Sequence, residues 1–290
     1  MVPNENEASL AHNDSTNVEA EEKAQALSGT HKHDHSHHQH DGPSEHLHGG
    51  TILTIRSHSG LSGDMLLAGL MRMTEISSAE IAEILKGLLP NIDVKLNLTT
   101  RQINQISGWH VEIKLPPQHE HRHLNDILKI IKASSLSSAA QDLATQAFTI
   151  LAQAEACVHQ KEVSEVHFHE VGALDSIIDT CLSCELFTRL DLRRFVLSPL
   201  PLADGSVHCA HGLLPVPAPA VLQLLPGLAV KSFAGCGETV TPTAAALLNV
   251  LPVDFGPWPT MLVKKTALVF GDYVFQGVPN GATFALGVAL

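Results

Sequence analysis

Two histidines and four carboxylates crowd into residues 165–179, EVHFHEVGALDSIID. Alternation of Val166 and Phe168 with His167 and His169 puts both imidazoles on one strand face, with Glu165 beside them. Gly172 then ends the strand. The helix that follows carries Asp175 and Asp179 four residues apart, close enough to share a cation or to repel each other. Imidazole together with carboxylate suits zinc, nickel or manganese better than calcium. The plainer alternative is a strand with hydrogen-bonded histidines and a helix start favoured by acidic residues.

Other segments carry similar chemistry. His119, His121 and His123 alternate in HEHRHLNDI, where Arg122 could pair with a phosphate and Asp126 lies nearby. His208 and His211 stand three apart in VHCAHG. SGLSGDM (59–65) joins a strand to a helix through Gly60 and Gly63, with Ser59 and Ser62 supplying hydroxyls and Asp64 in the first helical turn. Such a start could cradle a phosphate, and a tight turn explains it equally simply. His31, His33, His35, His37, His38 and His40 belong to a tract of eight histidines between 31 and 48, a composition that binds transition metals through interchangeable imidazoles. The chain has no G-x-S-x-G elbow, and His169-Glu170 does not continue as HExxH, so ordinary hydrolase readings lose ground. Cys181 and Cys184 form a C-x-x-C inside an apolar helical run, where small buried residues explain them better than redox or zinc chemistry.

These residues need a scaffold, and the pattern supplies an α/β body with a mixed sheet. Residues 1–50 lack apolar periodicity and are expected to form a disordered, acidic, His-rich tail. Residues 51–118 read as a small α/β unit: a strand at 51–57, a helix over LLAGLMRM, a second helix capped by Ser78, and strands near 94–100 and 109–115. Residues 119–290 add a long helix over about 138–159, the histidine–carboxylate motif with its helix to Leu190, and a strand at RFVLSPL. A helix follows Pro217 and Pro219, and the helix of TPTAAALLNVL is capped by Thr241 or Thr243.

Composition narrows the function. The 290 residues carry a formal charge of −12, and the first fifty hold nine acidic residues against two lysines, which leaves −5 for the body. No dense basic stripe exists to displace counterions, so nucleic acid is not an expected partner. No apolar run is long enough for a membrane span and the N-terminus is unlike a signal peptide, so a cytoplasmic protein is expected.

Taken together, SGLSGDM (59–65), HRHLNDI (121–127), AEACVHQ (154–160), EVHFHEVGALDSIID (165–179), SPLPLADGSV (198–207), AHGLLPVPAPA (210–220) and ETVTPTAAALL (238–248) resemble the LarC-type nickel-insertion proteins of lactate racemase cofactor biosynthesis. The resemblance spans about 51–260. It implies a cyclometallase that inserts nickel into a pyridinium nucleotide bearing two thiocarboxylates, dependent on CTP and on manganese or magnesium. Under it, His167, His169 and Glu170 become a cation site with Asp175 as ligand or support. His121, His123, His208, His211 and the tail histidines become further nickel donors. Ser59, Gly60, Ser62, Gly63, Asp64, Arg122, Thr241 and Thr243 face the nucleotide. A lactate racemase-type acceptor and a homo-oligomer are the implied partners. Residues 56–58 read RSH where the family has an acidic or cysteine-containing run, and TPTAAA stands for TPTGAA. Relatives also continue into a C-terminal domain, so a separate C-terminal chain is a further expected partner. Two rival functions are a nickel store or metallochaperone working through the tail, and a phosphohydrolase whose carboxylates hold a water-activating cation.

Overall fold

A computed structural model describes residues 50–117, 122–168, 171–209 and 212–290. His31, His33, His35, His37, His38 and His40, together with His121, His169, Glu170 and His211, lie outside the described residues.

Strand β1 (Thr51–Ser57) is buried from Ile52 to Ser57, as a strand covered on both faces must be. Helix α1 (Gly63–Thr74) follows, and then α2 (Ser78–Leu88). Ser77, not Ser78, caps α2. Its hydroxyl accepts the Glu80 amide at 3.2 Å while the Glu80 carboxylate accepts the Ser77 amide at 3.2 Å. The reciprocal pair needs a glutamate three residues on, and only Ser77 has one. Strands β2 (Lys95–Ile103) and β3 (Ile106–Lys114) form a hairpin whose two turn residues, Asn104 and Gln105, both have positive φ. That is the twist a two-residue connection requires.

The chain continues through β4 (Arg122–His123), α3 (Leu124–Ala133), the long α4 (Ser138–His159), β5 (His167–Phe168) and α5 (Leu174–Arg189). Next come β6 (Leu192–Leu197), β7 (Leu200–Asp204), β8 (Ser206–Cys209), β9 (Gly212–Pro215), α6 (Pro219–Leu224) and β10 (Val230–Cys236). Helix α7 (Pro242–Val250) precedes β11 (Val253–Phe255), β12 (Met261–Val269) and β13 (Ala282–Ala289). Thr241 caps α7, accepting the Ala244 amide at 3.3 Å, and Pro242 takes the first position, where a missing N–H costs nothing.

Seven strands make one mixed sheet in the order β11-β6-β1-β13-β12-β3-β2. β1 runs parallel to β6 and antiparallel to β13, so strands from before and after residue 118 share this sheet. The expected mixed α/β body is therefore what the chain forms. Helix α1 lies against β12, β3 and β13, α5 packs on α1, and α4 packs on α5 and on α3, α6 and α7. Phe148, Phe168, Phe195 and Phe284 are fully buried at the heart of this arrangement. Cys181 and Cys184 lie in the same core on α5, where burial pushes the Cys181 thiol up to about 12 and raises the Cys184 thiol well above its usual range. Among the described residues no helix is long and apolar enough to cross a membrane.

Candidate functional site

Four helix starts face one cavity. α1 begins at Gly63, α5 at Leu174, the short α6 at Pro219 and α7 at Pro242, and residues from each start line a space of about 640 Å³. That volume lies in the range of a small-molecule site. The convergence has a local cause. The Leu61 amide donates to the Thr239 carbonyl at 2.8 Å and the Thr241 amide to the Leu61 carbonyl at 3.3 Å, a one-residue parallel bridge that fastens the approach to α1 beside the approach to α7. Gly60 allows it: its φ is +137° and a Cβ there would lie 1.9 Å from the Thr239 oxygen.

The wall is unusually acidic. Asp64 comes from α1, Glu155 from α4, Asp175 and Asp179 from α5, Glu238 from the approach to α7, and Asp272 from the loop after β12. No lysine or arginine lines the cavity among the described residues. Its softer donors are His159 at the end of α4 and His208 with Cys209 on β8, and Val111, Ile113, Val158 and Leu214 give it apolar surface. His159 Nε2 lies 3.5 Å from the Glu155 carboxylate one helical turn earlier.

One group of donors is tighter than the rest. Ligand atoms of Asp64, His110 and Asp272 all lie within 4.8 Å of one another. His110 is buried on β3, with Nδ1 3.2 Å from the Phe270 carbonyl and Nε2 3.3 Å from Asp272. Asp64 receives a short hydrogen bond from the Ser62 hydroxyl on one oxygen, while its buried second oxygen has no partner. Burial raises the Asp64 carboxyl above its usual range, and the Asp272 charge adds to this. Asp179 packs against Gly63, where a Cβ would come within 2.9 Å of its Oδ2, and its buried Oδ1 also has no partner. Burial, then the charges of Asp64, Asp175 and Asp272, push the Asp179 carboxyl well above its ordinary value.

Of the residues singled out from sequence, Ser62, Gly63, Asp64, Asp175, Asp179, His208, Thr241 and Thr243 line this cavity. Ser59 and Gly60 support it from behind: the Ser59 hydroxyl accepts the Gly281 amide at 2.9 Å. Arg122 is buried on β4 and donates to the Gly172 carbonyl at 3.1 Å, holding the turn before α5. His123 and His167 sit elsewhere, opposite each other in the short β4–β5 ladder with ring centroids 3.9 Å apart. His123 Nδ1 lies 3.1 Å from the Val166 carbonyl. The sequence reading missed His110 and Asp272, and nothing local marks them, because strand and loop meet only through the sheet. It also passed over Glu155 and His159, although their spacing of four at a helix end was visible.

The sequence profile of the nickel insertion protein family matches residues 53–287. The chain belongs to that family. It is 36% identical over 228 residues to the pyridinium-3,5-bisthiocarboxylic acid mononucleotide nickel insertion protein of Staphylococcus epidermidis, covering 79% of this chain and 57% of the relative. Two provisionally named nickel insertion proteins are similar. That of Dictyoglomus thermophilum is 42% identical over 222 residues, 77% of this chain and 57% of its own. That of Geotalea daltonii is 36% identical over 236 residues, 81% and 60% respectively. The chain thus spans about 60% of the length of the curated relatives it matches. No solved structure matches it. The resemblance noted from the motifs is therefore one of true family membership.

Proposed function

We propose that this chain works in nickel insertion into a pyridinium-3,5-bisthiocarboxylic acid mononucleotide, receiving both nickel and the nucleotide in the cavity at the starts of α1, α5 and α7. The observation that carries the proposal is the cavity itself, which combines nucleotide-sized volume with imidazole, thiol and carboxylate donors. Nickel met by imidazole or thiol from His159, His208 or Cys209 rests on exchangeable, borderline donors and can pass to two thiocarboxylate sulfurs, which bind it more softly. The ring carbon between them then exchanges its proton for nickel, and a wall carboxylate takes that proton. Helix starts favour the phosphate of the nucleotide. The apolar wall favours its ring.

CTP, with manganese or magnesium as its counterion, is the finer part of the proposal. A triphosphate calls for cationic side chains, and the lining offers none among the described residues. We assign triphosphate binding to a polypeptide corresponding to the remaining length of the relatives, whether in this chain's own continuation or in a separate partner. A lactate racemase-type enzyme is the proposed acceptor of the product.

The test incubates the purified chain with Ni²⁺ and the bisthiocarboxylated nucleotide, with CTP and Mg²⁺, in the presence and absence of the C-terminal part of a relative. Mass spectrometry reads the nickelated nucleotide. Product that falls at least tenfold in a His208→Ala, Cys209→Ser variant supports the reading. Absence of product under every condition, or product indifferent to these residues, overturns it.

A further inference from the structure

We infer that Asp64, His110 and Asp272, supported by Asp179, form a binding site for one hard divalent cation of the Mg²⁺ or Mn²⁺ type, distinct from the nickel that is cargo. Three independent observations lead there. The first is spacing: donor atoms on α1, β3 and the loop after β12 lie within 4.8 Å of one another, so a single ion can touch all three.

The second is the aim of His110. Its Nδ1 lies 3.2 Å from the Phe270 carbonyl, which can only accept, so Nδ1 donates there. That leaves Nε2 to face the carboxylates, 3.3 Å from an Asp272 oxygen, where it can share a cation with them. The carbonyl that fixes the tautomer is also the kind of outer partner that ligating histidines keep.

The third is a pair of orphaned oxygens. Asp64 Oδ2 and Asp179 Oδ1 are buried without a hydrogen-bond partner, on two helices that Gly63 brings into contact. Buried carboxylates without partners are costly, and a bound cation is the usual compensation. Neither lysine nor arginine lines the cavity among the described residues to serve instead. The donor set is chiefly carboxylate oxygen with one imidazole, which suits hard cations, and the softer donors His159, His208 and Cys209 are not part of it. Such an ion would also offset the six wall carboxylates when an anionic phosphate enters.

The inference goes beyond nickel insertion and stands on its own geometry. Its test uses Mn²⁺, whose free hexaaquo form gives a sharp six-line paramagnetic resonance signal that is lost on binding. Mn²⁺ also has the weakest hold on imidazole of the first-row series, so the His-rich tail competes little. Titration of the full chain is expected to show about one Mn²⁺ per chain. Affinity should fall at least tenfold in Asp64→Asn, Asp272→Asn and His110→Gln, and remain unchanged in Glu112→Gln, an exposed position on β3 outside the cavity lining. Asp272 is exposed, so its variant folds even where the buried ones do not, and near-ultraviolet circular dichroism checks the others. Unchanged Mn²⁺ affinity in folded Asp272→Asn overturns the inference, as does absence of Mn²⁺ binding at millimolar concentration. Displacement of Mn²⁺ by a single stoichiometric Ni²⁺ overturns its distinctness from the cargo site. Mn²⁺ binding that persists in a chain unable to nickelate the nucleotide separates this inference from the proposed function.

Discussion

The amide of Leu61 reaches the carbonyl of Thr239 at 2.8 Å, and this contact sets the starts of α1 and α7 side by side. The contact exists only because residue 60 has no side chain. Gly60→Ala places a Cβ 1.9 Å from the Thr239 oxygen in a backbone region that alanine avoids. It should destabilise the protein by at least about 2 kcal/mol, or prevent folding. Urea unfolding followed by circular dichroism measures this, and a cost below about 0.5 kcal/mol would show that the bridge is not needed.

The ionised form of Asp179 is disfavoured by burial and by its carboxylate neighbours, with no partner in the protein to offset them at its buried Oδ1. In the presence of chelator, Asp179→Asn should raise stability by about 1–3 kcal/mol, because it removes repulsion from Asp64 and Asp175 at a buried position. Millimolar Mn²⁺ should stabilise the wild type and have little effect on the variant. Calorimetric melting with and without the metal reads both. A loss of stability in chelator would show that the carboxylate has a partner of its own.

Glu185 is the opposite case. Burial opposes its charge, but the Ser137 amide at 2.9 Å and the Arg189 guanidinium at 3.0 Å outweigh burial and hold the carboxyl below its usual value. A folded value below the unfolded one means the stabilisation is complete above about pH 4.5 and disappears as pH falls through the folded value. Glu185→Gln should therefore cost about 1–2 kcal/mol at pH 7 and much less at pH 3, read by urea unfolding at both.

Thiol labelling gives a test of the core. Cys157 and Cys236 are exposed and Cys209 is partly so, whereas Cys181 and Cys184 are buried on α5. A disulfide reagent should modify the first three in the native protein and the last two only after unfolding. Prior addition of Ni²⁺ should slow Cys209 without affecting Cys157 if Cys209 is a nickel donor. Mass spectrometry of digests assigns the sites, and rapid native labelling of Cys181 would contradict the packing of α5.

Much of the scaffold was legible because it is written locally. The apolar run of β1, the spacing of α4 and α5, and the Thr241-Pro242 helix start each follow from a few adjacent residues. Asp175 and Asp179 were visible as a pair for the same reason. His110 and Asp272 were not, since their meeting depends on β3 lying beside β12, a pairing with a single registered contact at Trp109 and Val269. Gly60 was legible as a special position, but its reason was not. The motif suggested a phosphate cradle, and what crowds it is the backbone of a segment far along the chain. Glycine in a sequence announces close approach without naming the visitor.

The place of β13 sets a timetable for the nascent chain. β1 emerges from the ribosome long before its antiparallel neighbour β13 (Ala282–Ala289), so the middle of the sheet stays open while the segments between them are made. Until then β1 and β12 each expose an edge that could pair wrongly, and the closing of so long a loop makes final folding slow. Early protection by a chaperone, and a steep drop in yield when β13 is weakened, are the expected signs of a sheet whose middle strand follows both of its neighbours.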